Sequence, residues 1–262
     1  MAVERSIVKK LDELGTAALE GRVDILVVTP HTDDFIYGLA GTLLTHSGDN
    51  KHIVAVCSIQ KTAAREVAEA VGATIEFLDA PYHRISEDAV RVKRGLVEIL
   101  RDRRPTYVFG PPARGDWTAD HTTVGQALLD AVDLAGTFQY PSRVLRFPIA
   151  STTLEFRPNV WIDLPTSVVA KKVELAAIMT RGLEDEWPRN LVEWEVGQGL
   201  RYSLGIGWPS EHAEAFDALF AVPFKRLPPP EDLPGDVTRT APKVDALTEG
   251  IDLSAGKRAR RR

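Results

Sequence analysis

Residues 23–134 alternate between short, nearly continuous apolar runs and longer stretches with helical spacing. Val23–Thr29, His52–Ile59, Thr74–Leu78 and Thr106–Phe109 read as strands. Between and after them, Phe35–His46, Thr62–Val71, Glu87–Asp102 and His121–Leu134 read as helices; Gly72 and Gly136 stand where helix C-caps are expected. Strands that alternate with helices predict βαβ units, and strands this uniformly apolar predict a sheet covered on both faces. The expected fold is therefore α/β: a Rossmann-like, mainly parallel sheet with helices on both faces.

The second half is less regular. Arg143–Phe147 and Asn159–Leu164 read as strands, and Ser167–Thr180 as a helix. Asn190–Leu200 reads as a further helix, and Glu214–Val222 as a short helix followed by an edge strand. One domain over residues 1–226 is the economical division. Pro228, Pro229, Pro230, Pro234 and Gly235 open a stretch too poor in apolar residues to repay its ordering entropy, so 227–262 is expected to be a disordered tail. No internal repeat is visible.

Composition narrows the class. With 44% hydrophobic and 26% charged residues, the 262-residue chain is ordinary for a globular protein. A net charge of −5 argues against nucleic acid as partner of the folded domain. The basic end, Lys257–Arg262, could touch an anionic surface but reads more simply as a solvated tail. One cysteine excludes a disulfide framework. No apolar run is long enough to span a bilayer, and the N-terminus lacks the apolar core of a secretory signal. A cytoplasmic protein is expected, with a homo-oligomer among the states left open.

Ligands of an open parallel sheet bind beyond the carboxyl ends of the strands, where strand order reverses. Two loops there carry chemistry. The first is Pro30-His31-Thr32-Asp33-Asp34; the second runs from Gly110 to His121 and holds Arg114, Asp116, Thr118, Asp120 and His121. His and Asp together are ligands for a divalent metal. His31 and Asp34 stand close enough to chelate one ion, and Asp33 could aim at a water on it. Either aspartate could instead be a helix N-cap, and His121 alone could be a surface residue. Gly38-Leu39-Ala40-Gly41 suggests a dinucleotide loop, but the glycines fall inside a helix and the acids before them would repel a pyrophosphate.

The segment VVTPHTDDFIYGLAGTL resembles the opening motif of the PIG-L/LmbE-like zinc-dependent N-deacetylases, with His31, Asp33, Asp34, Gly38, Gly41, Thr42 and Leu43 in register. Thr118-Ala119-Asp120-His121, with Asp116 upstream, resembles that family's second motif, and Arg201–Phe216 its terminal segment. The resemblance implies His31, Asp34 and His121 as ligands of one zinc ion, leaving a position open for water, and Asp33 as general base. It implies a small-molecule N-acylated substrate: an amino sugar or related compound losing an acyl group, acetyl in the first instance. A thiol conjugate or natural-product intermediate is the alternative amide, and a metal- or sugar-binding homologue without turnover the alternative function.

Three positions depart from the pattern. Thr32 stands for proline, Phe35 for glutamate, and Thr118 for a histidine that the family uses to stabilise the tetrahedral oxyanion. Thr118, the zinc itself, or His83 in the loop after the third strand is the candidate replacement; His83 could equally be an exposed loop residue. Arg84 and Arg114 could bind a hydroxyl or phosphate, or simply be solvated. Trp187, Trp194 and Trp208 could line a substrate groove or pack in a core. Cys57 reads as a buried, inert thiol, and His46 and His52 as surface residues.

Overall fold

The computed structural model describes residues 23–136, 144–149, 152–181 and 212–218. The expected tail at 227–262, the helix at Asn190–Leu200 and Trp187, Trp194 and Trp208 lie outside the described residues.

Seven strands form one sheet. In chain order they are β1 (Ile25–Thr29), β2 (Lys51–Cys57), β3 (Ala73–Ala80), β4 (Tyr107–Gly110), β5 (Val144–Arg146), β6 (Val160–Asp163) and β7 (Ala213–Ala218). The helices are α1 (Asp34–Thr45), α2 (Lys61–Ala70), α3 (Ala89–Arg103), α4 (Ala119–Ala135) and α5 (Thr166–Met179), with a 3-10 turn at Ile85–Asp88 before α3. Spatial order is β3-β2-β1-β4-β5-β7-β6. The first five strands pair in parallel, and β7 runs antiparallel to both β5 and β6. Strand order reverses between β1 and β4, so the loops that follow these two strands meet at the same edge. This is the Rossmann-like sheet that the alternating pattern predicts.

Both faces are covered. On one side α1 and α2 pack with α5; on the other, α3 packs against α4. Leu26, Val28, Val54, Val56 and Val108 form a core with Val92, Leu96 and Leu100 of α3 and Val124 and Leu128 of α4. Every residue of β1 and β2 is buried, as period-two strands between two helical layers require. No described helix is long and apolar enough to cross a membrane.

Three expectations are corrected. Ala213–Ala218 is a strand inside the sheet, not a helix: its alanines and glutamate favour a helix, but both its edges find strand partners in β5 and β6. His52 is buried, because its β2 position faces β3, where Thr74 and Glu76 take its ring nitrogens at 2.6 and 2.7 Å. His46 is half-buried at the C-terminus of α1, its Nδ1 2.8 Å from the Thr42 carbonyl oxygen. Cys57 is buried and unpaired, as expected.

Candidate metal centre

The loop after β1 is tied down before it reaches its histidine. The Thr29 hydroxyl donates to the His31 carbonyl at 2.7 Å, and the Thr32 hydroxyl to the Ile59 carbonyl at 2.9 Å. Thr32 is fully buried, so its hydroxyl supplies by hydrogen bonding the restraint a proline would supply by its ring. Phe35 is also fully buried, and the departure from glutamate there becomes core packing. The Asp34 carboxylate accepts the His31 N–H at 2.9 Å, fixing the two against each other. Asp33 occupies the N-cap position of α1 but makes no side-chain cap bond.

The loop after β4 brings the other half. Gly125 lets α4 close on this loop, since a Cβ there would stand 2.5 Å from the Pro112 carbonyl oxygen. His121, in the first turn of α4, then faces His31 and Asp34 across the β1–β4 junction.

His31, Asp34 and His121 are buried and form the one group of metal-ligating side chains found among the described residues. His31 Nδ1 lies 3.3 Å from Asp34 Oδ2 and 3.3 Å from His121 Nε2, and His121 Nε2 lies 3.7 Å from Asp34 Oδ2. Donors on a tetrahedral zinc ion at about 2.0–2.1 Å stand about 3.3–3.4 Å apart, so this triangle fits one face of such a site. Each remaining ring nitrogen has a carboxylate behind it. His31 Nε2 is 3.1 Å from Asp120, and His121 Nδ1 is 3.1 Å from Asp116. Asp120 also accepts the Ile85 N–H at 3.0 Å, and Asp116 the Thr118 N–H and the hydroxyls of Thr152 and Thr153 at 2.8–2.9 Å. Carboxylates in these places set which nitrogen carries the proton and turn the other toward an ion.

The electrostatics favour a cation. Burial alone would lower the His31 imidazole, but the carboxylates of Asp34 and Asp120 outweigh it and hold it up at about 9. Burial and then the neighbouring Asp34 carboxylate push Asp33 up to about 6. Burial opposes ionisation of Asp116 as well; the His121 imidazole and the Thr118 N–H prevail and keep it below the usual carboxylate range.

The remaining candidates lie at the rim. Thr118 is half-buried at the N-cap of α4, and its hydroxyl makes no cap bond. His83 is exposed, with its backbone at φ +59°; its ring lies 3.8 Å from that of Tyr82, tilted by 43°, and stands 6.3 Å from the His31 ring. The Tyr82 ring is closer, 5.1 Å from His31 and nearly perpendicular to it. Arg114 and Arg84 are exposed, and Arg84 pairs with Glu87 at 3.6 Å. Sequence reasoning left Asp116 and Asp120 out of the site and missed Tyr82. The signal for the aspartates was their place beside His121; for Tyr82 there was only adjacency to His83.

Residues 26–132 match the family model described as PIG-L: GlcNAc-PI de-N-acetylase, the family that the two motifs resemble. The matched stretch runs from β1 into α4 and contains the whole triangle. No curated protein matches the chain in sequence. Among solved structures, the conserved protein TT1542 from Thermus thermophilus is similar at a TM-score of 0.63 and 22% identity, over 76% of this chain and 96% of that one. GalB, the 4-carboxy-2-hydroxymuconate hydratase from Pseudomonas putida, aligns at 0.62 and 20%, over 78% and 100%. The N,N'-diacetylchitobiose deacetylase from Pyrococcus horikoshii aligns at 0.59 and 19%, over 82% and 92%. At such identities these likenesses speak to the fold.

Proposed function

We propose that this chain, PIG-L-like over the stretch that builds the site, is a zinc-dependent amidohydrolase that removes an N-acyl group from an amino sugar or related small molecule. The observation that carries the reading is the buried triangle of His31 Nδ1, Asp34 Oδ2 and His121 Nε2, with a carboxylate behind each imidazole. Three protein ligands with a fourth position left for water mark a catalytic rather than a structural zinc site. The N-deacetylase description of the matching family and the deacetylase among the similar folds support hydrolysis of an acetamide.

A zinc ion held by these three residues supplies Lewis acidity to a water and to the substrate carbonyl. The chain does the rest. Asp33 is adjacent to a ligand yet outside the triangle, and it takes the proton from the attacking water. It later protonates the leaving amine. Asp120 and Asp116 hold the two imidazoles in register. Thr118, with a hydroxyl not used for capping, and His83, beyond Tyr82, are the candidate donors to the developing oxyanion.

A second reading has its own observation. Thr118 stands where the family's oxyanion histidine is expected, and a protein of the same fold is a hydratase. The same activated water would then add to a carbon–carbon double bond. Zinc-loaded protein assayed for primary amine released from N-acetylated sugars decides between them. Release at one zinc per chain is expected; a loaded protein that frees no amine from any N-acyl compound removes the hydrolase reading.

A further inference from the structure

Lys172 of α5 and Glu214 of β7 form an ion pair at 2.6 Å whose two side chains are almost wholly sequestered, 0% and 2% exposed. Neither belongs to the metal centre. Both act on α1, the helix that begins with Asp34. In an α-helix the Gly41 N–H is the partner of the Tyr37 carbonyl. Here Lys172 Nζ donates to that Tyr37 carbonyl, while the Gly41 N–H donates to Glu214 Oε1 at 2.9 Å. Glu214 Oε2 also accepts the Thr42 N–H and the Thr42 hydroxyl, each at 2.7 Å. The ion pair thus lies across one rung of the helical ladder, its cation on the acceptor and its anion on the donor.

The sequence makes room for this. A Cβ on Gly41 would stand 2.9 Å from Glu214 Oε1 and 2.6 Å from Leu164, so a side chain at 41 would displace the carboxylate. A Cβ on Gly38 would meet Phe147 and the Pro148 carbonyl at 2.6 Å, which sets how closely the first turns of α1 approach the end of β5. Tyr37 closes the turn that Asp34 opens. The clamp therefore grips the helix one turn from a candidate ligand.

We propose that Lys172 and Glu214 are positioning residues for the metal centre: they fix the axial placement of α1 and thereby hold Asp34 at the triangle with His31 and His121. The inference rests on the metal reading above. Lys51 provides the contrast. Its Nζ ties the other end of the same helix, donating to the Leu43 and His46 carbonyls at 3.1 and 2.8 Å, far along the chain from Asp34. Burial also lowers its ammonium pKa.

The test measures zinc dissociation constants by competition with a chromophoric chelator, well below the melting temperature. Compared are wild type, His121→Ala, the charge-free pair Lys172→Met/Glu214→Gln, and Lys51→Met. Positioning shells around metal ligands are worth about 10- to 100-fold in affinity. The double variant should bind zinc at least about 10-fold more weakly than wild type, and Lys51→Met should bind it as wild type does. Unchanged affinity in a folded double variant overturns the proposal, as does equal weakening by Lys51→Met. Should the double variant not fold, Glu214→Gln alone is titrated and judged by the same criterion. Failure of the metal reading looks different: wild type and His121→Ala would then bind zinc alike.

Discussion

Asp120 Oδ2 lies 3.1 Å from His31 Nε2, and the other oxygen of the same carboxylate accepts the Ile85 N–H. One buried aspartate thus joins the β1 loop, the β3 loop and the start of α4. In the neutral ring it places the His31 proton on Nε2, leaving Nδ1 for an ion. Asp120→Ala should weaken zinc binding by about 10- to 100-fold, measured by chelator competition. A metal affinity equal to wild type would show that His31 needs no such partner.

Asp33 makes a different prediction. It neighbours Asp34 but contributes no atom to the triangle, so Asp33→Asn should retain a full zinc equivalent by elemental analysis. Losing a general base typically costs about 10²-fold or more in kcat. A variant that loses its metal while keeping residual turnover would exchange the roles of Asp33 and Asp34.

How much of this was legible in the sequence depends on what each feature rests on. β1, β2 and β4 were readable because strands buried on both faces leave continuous apolar runs, and the chemistry-bearing loops follow directly from that topology. The strand at Ala213–Ala218 was not: Ala-Glu-Ala-Phe-Asp-Ala carries helix formers, and only its two neighbouring strands decide its conformation. His52 failed for a related reason. A histidine beside a turn reads as exposed until the partner strand with Thr74 and Glu76 is in place. Asp116 and Asp120 were in view, yet spacing cannot say which acid stands behind which imidazole. Lys172 and Glu214 lie 42 residues apart, and nothing in either segment foretells that they meet across α1.

The metal-free protein should show a pH dependence that zinc removes. The folded-state pKa of His31, about 9, lies above the ordinary value of 6.5. A raised folded pKa contributes stability that is fully present below about 6.5 and is lost as pH rises through about 9. The contribution is on the order of a few kcal/mol. Thermal melts of chelator-treated protein should therefore fall between pH 6.5 and 9, and His31→Gln should flatten that slope. Zinc-loaded protein should lack it too, since ligation requires the neutral ring. A metal-free slope that survives in His31→Gln assigns the effect to other groups.

The missing histidine gives the sharpest test of the catalytic reading. Thr118 sits at the N-cap of α4, three residues before the candidate ligand His121, and its hydroxyl is not spent on the helix. An imidazolium at that position would be a charged donor, roughly twice as strong as a neutral one. Removing one oxyanion donor typically costs about 2.7–4 kcal/mol. Thr118→His should accordingly raise kcat on a simple N-acetyl sugar with little change in KM. Thr118→Val should lower it only where the hydroxyl is used. His83 offers the competing outcome, its ring 6.3 Å from that of His31 on the opposite loop. If Thr118→Val is silent while His83→Ala abolishes turnover and keeps its zinc, the donor has moved to the loop after β3. If neither change alters turnover, stabilisation of the oxyanion falls to the metal alone, and Thr118 is no more than the residue that starts α4.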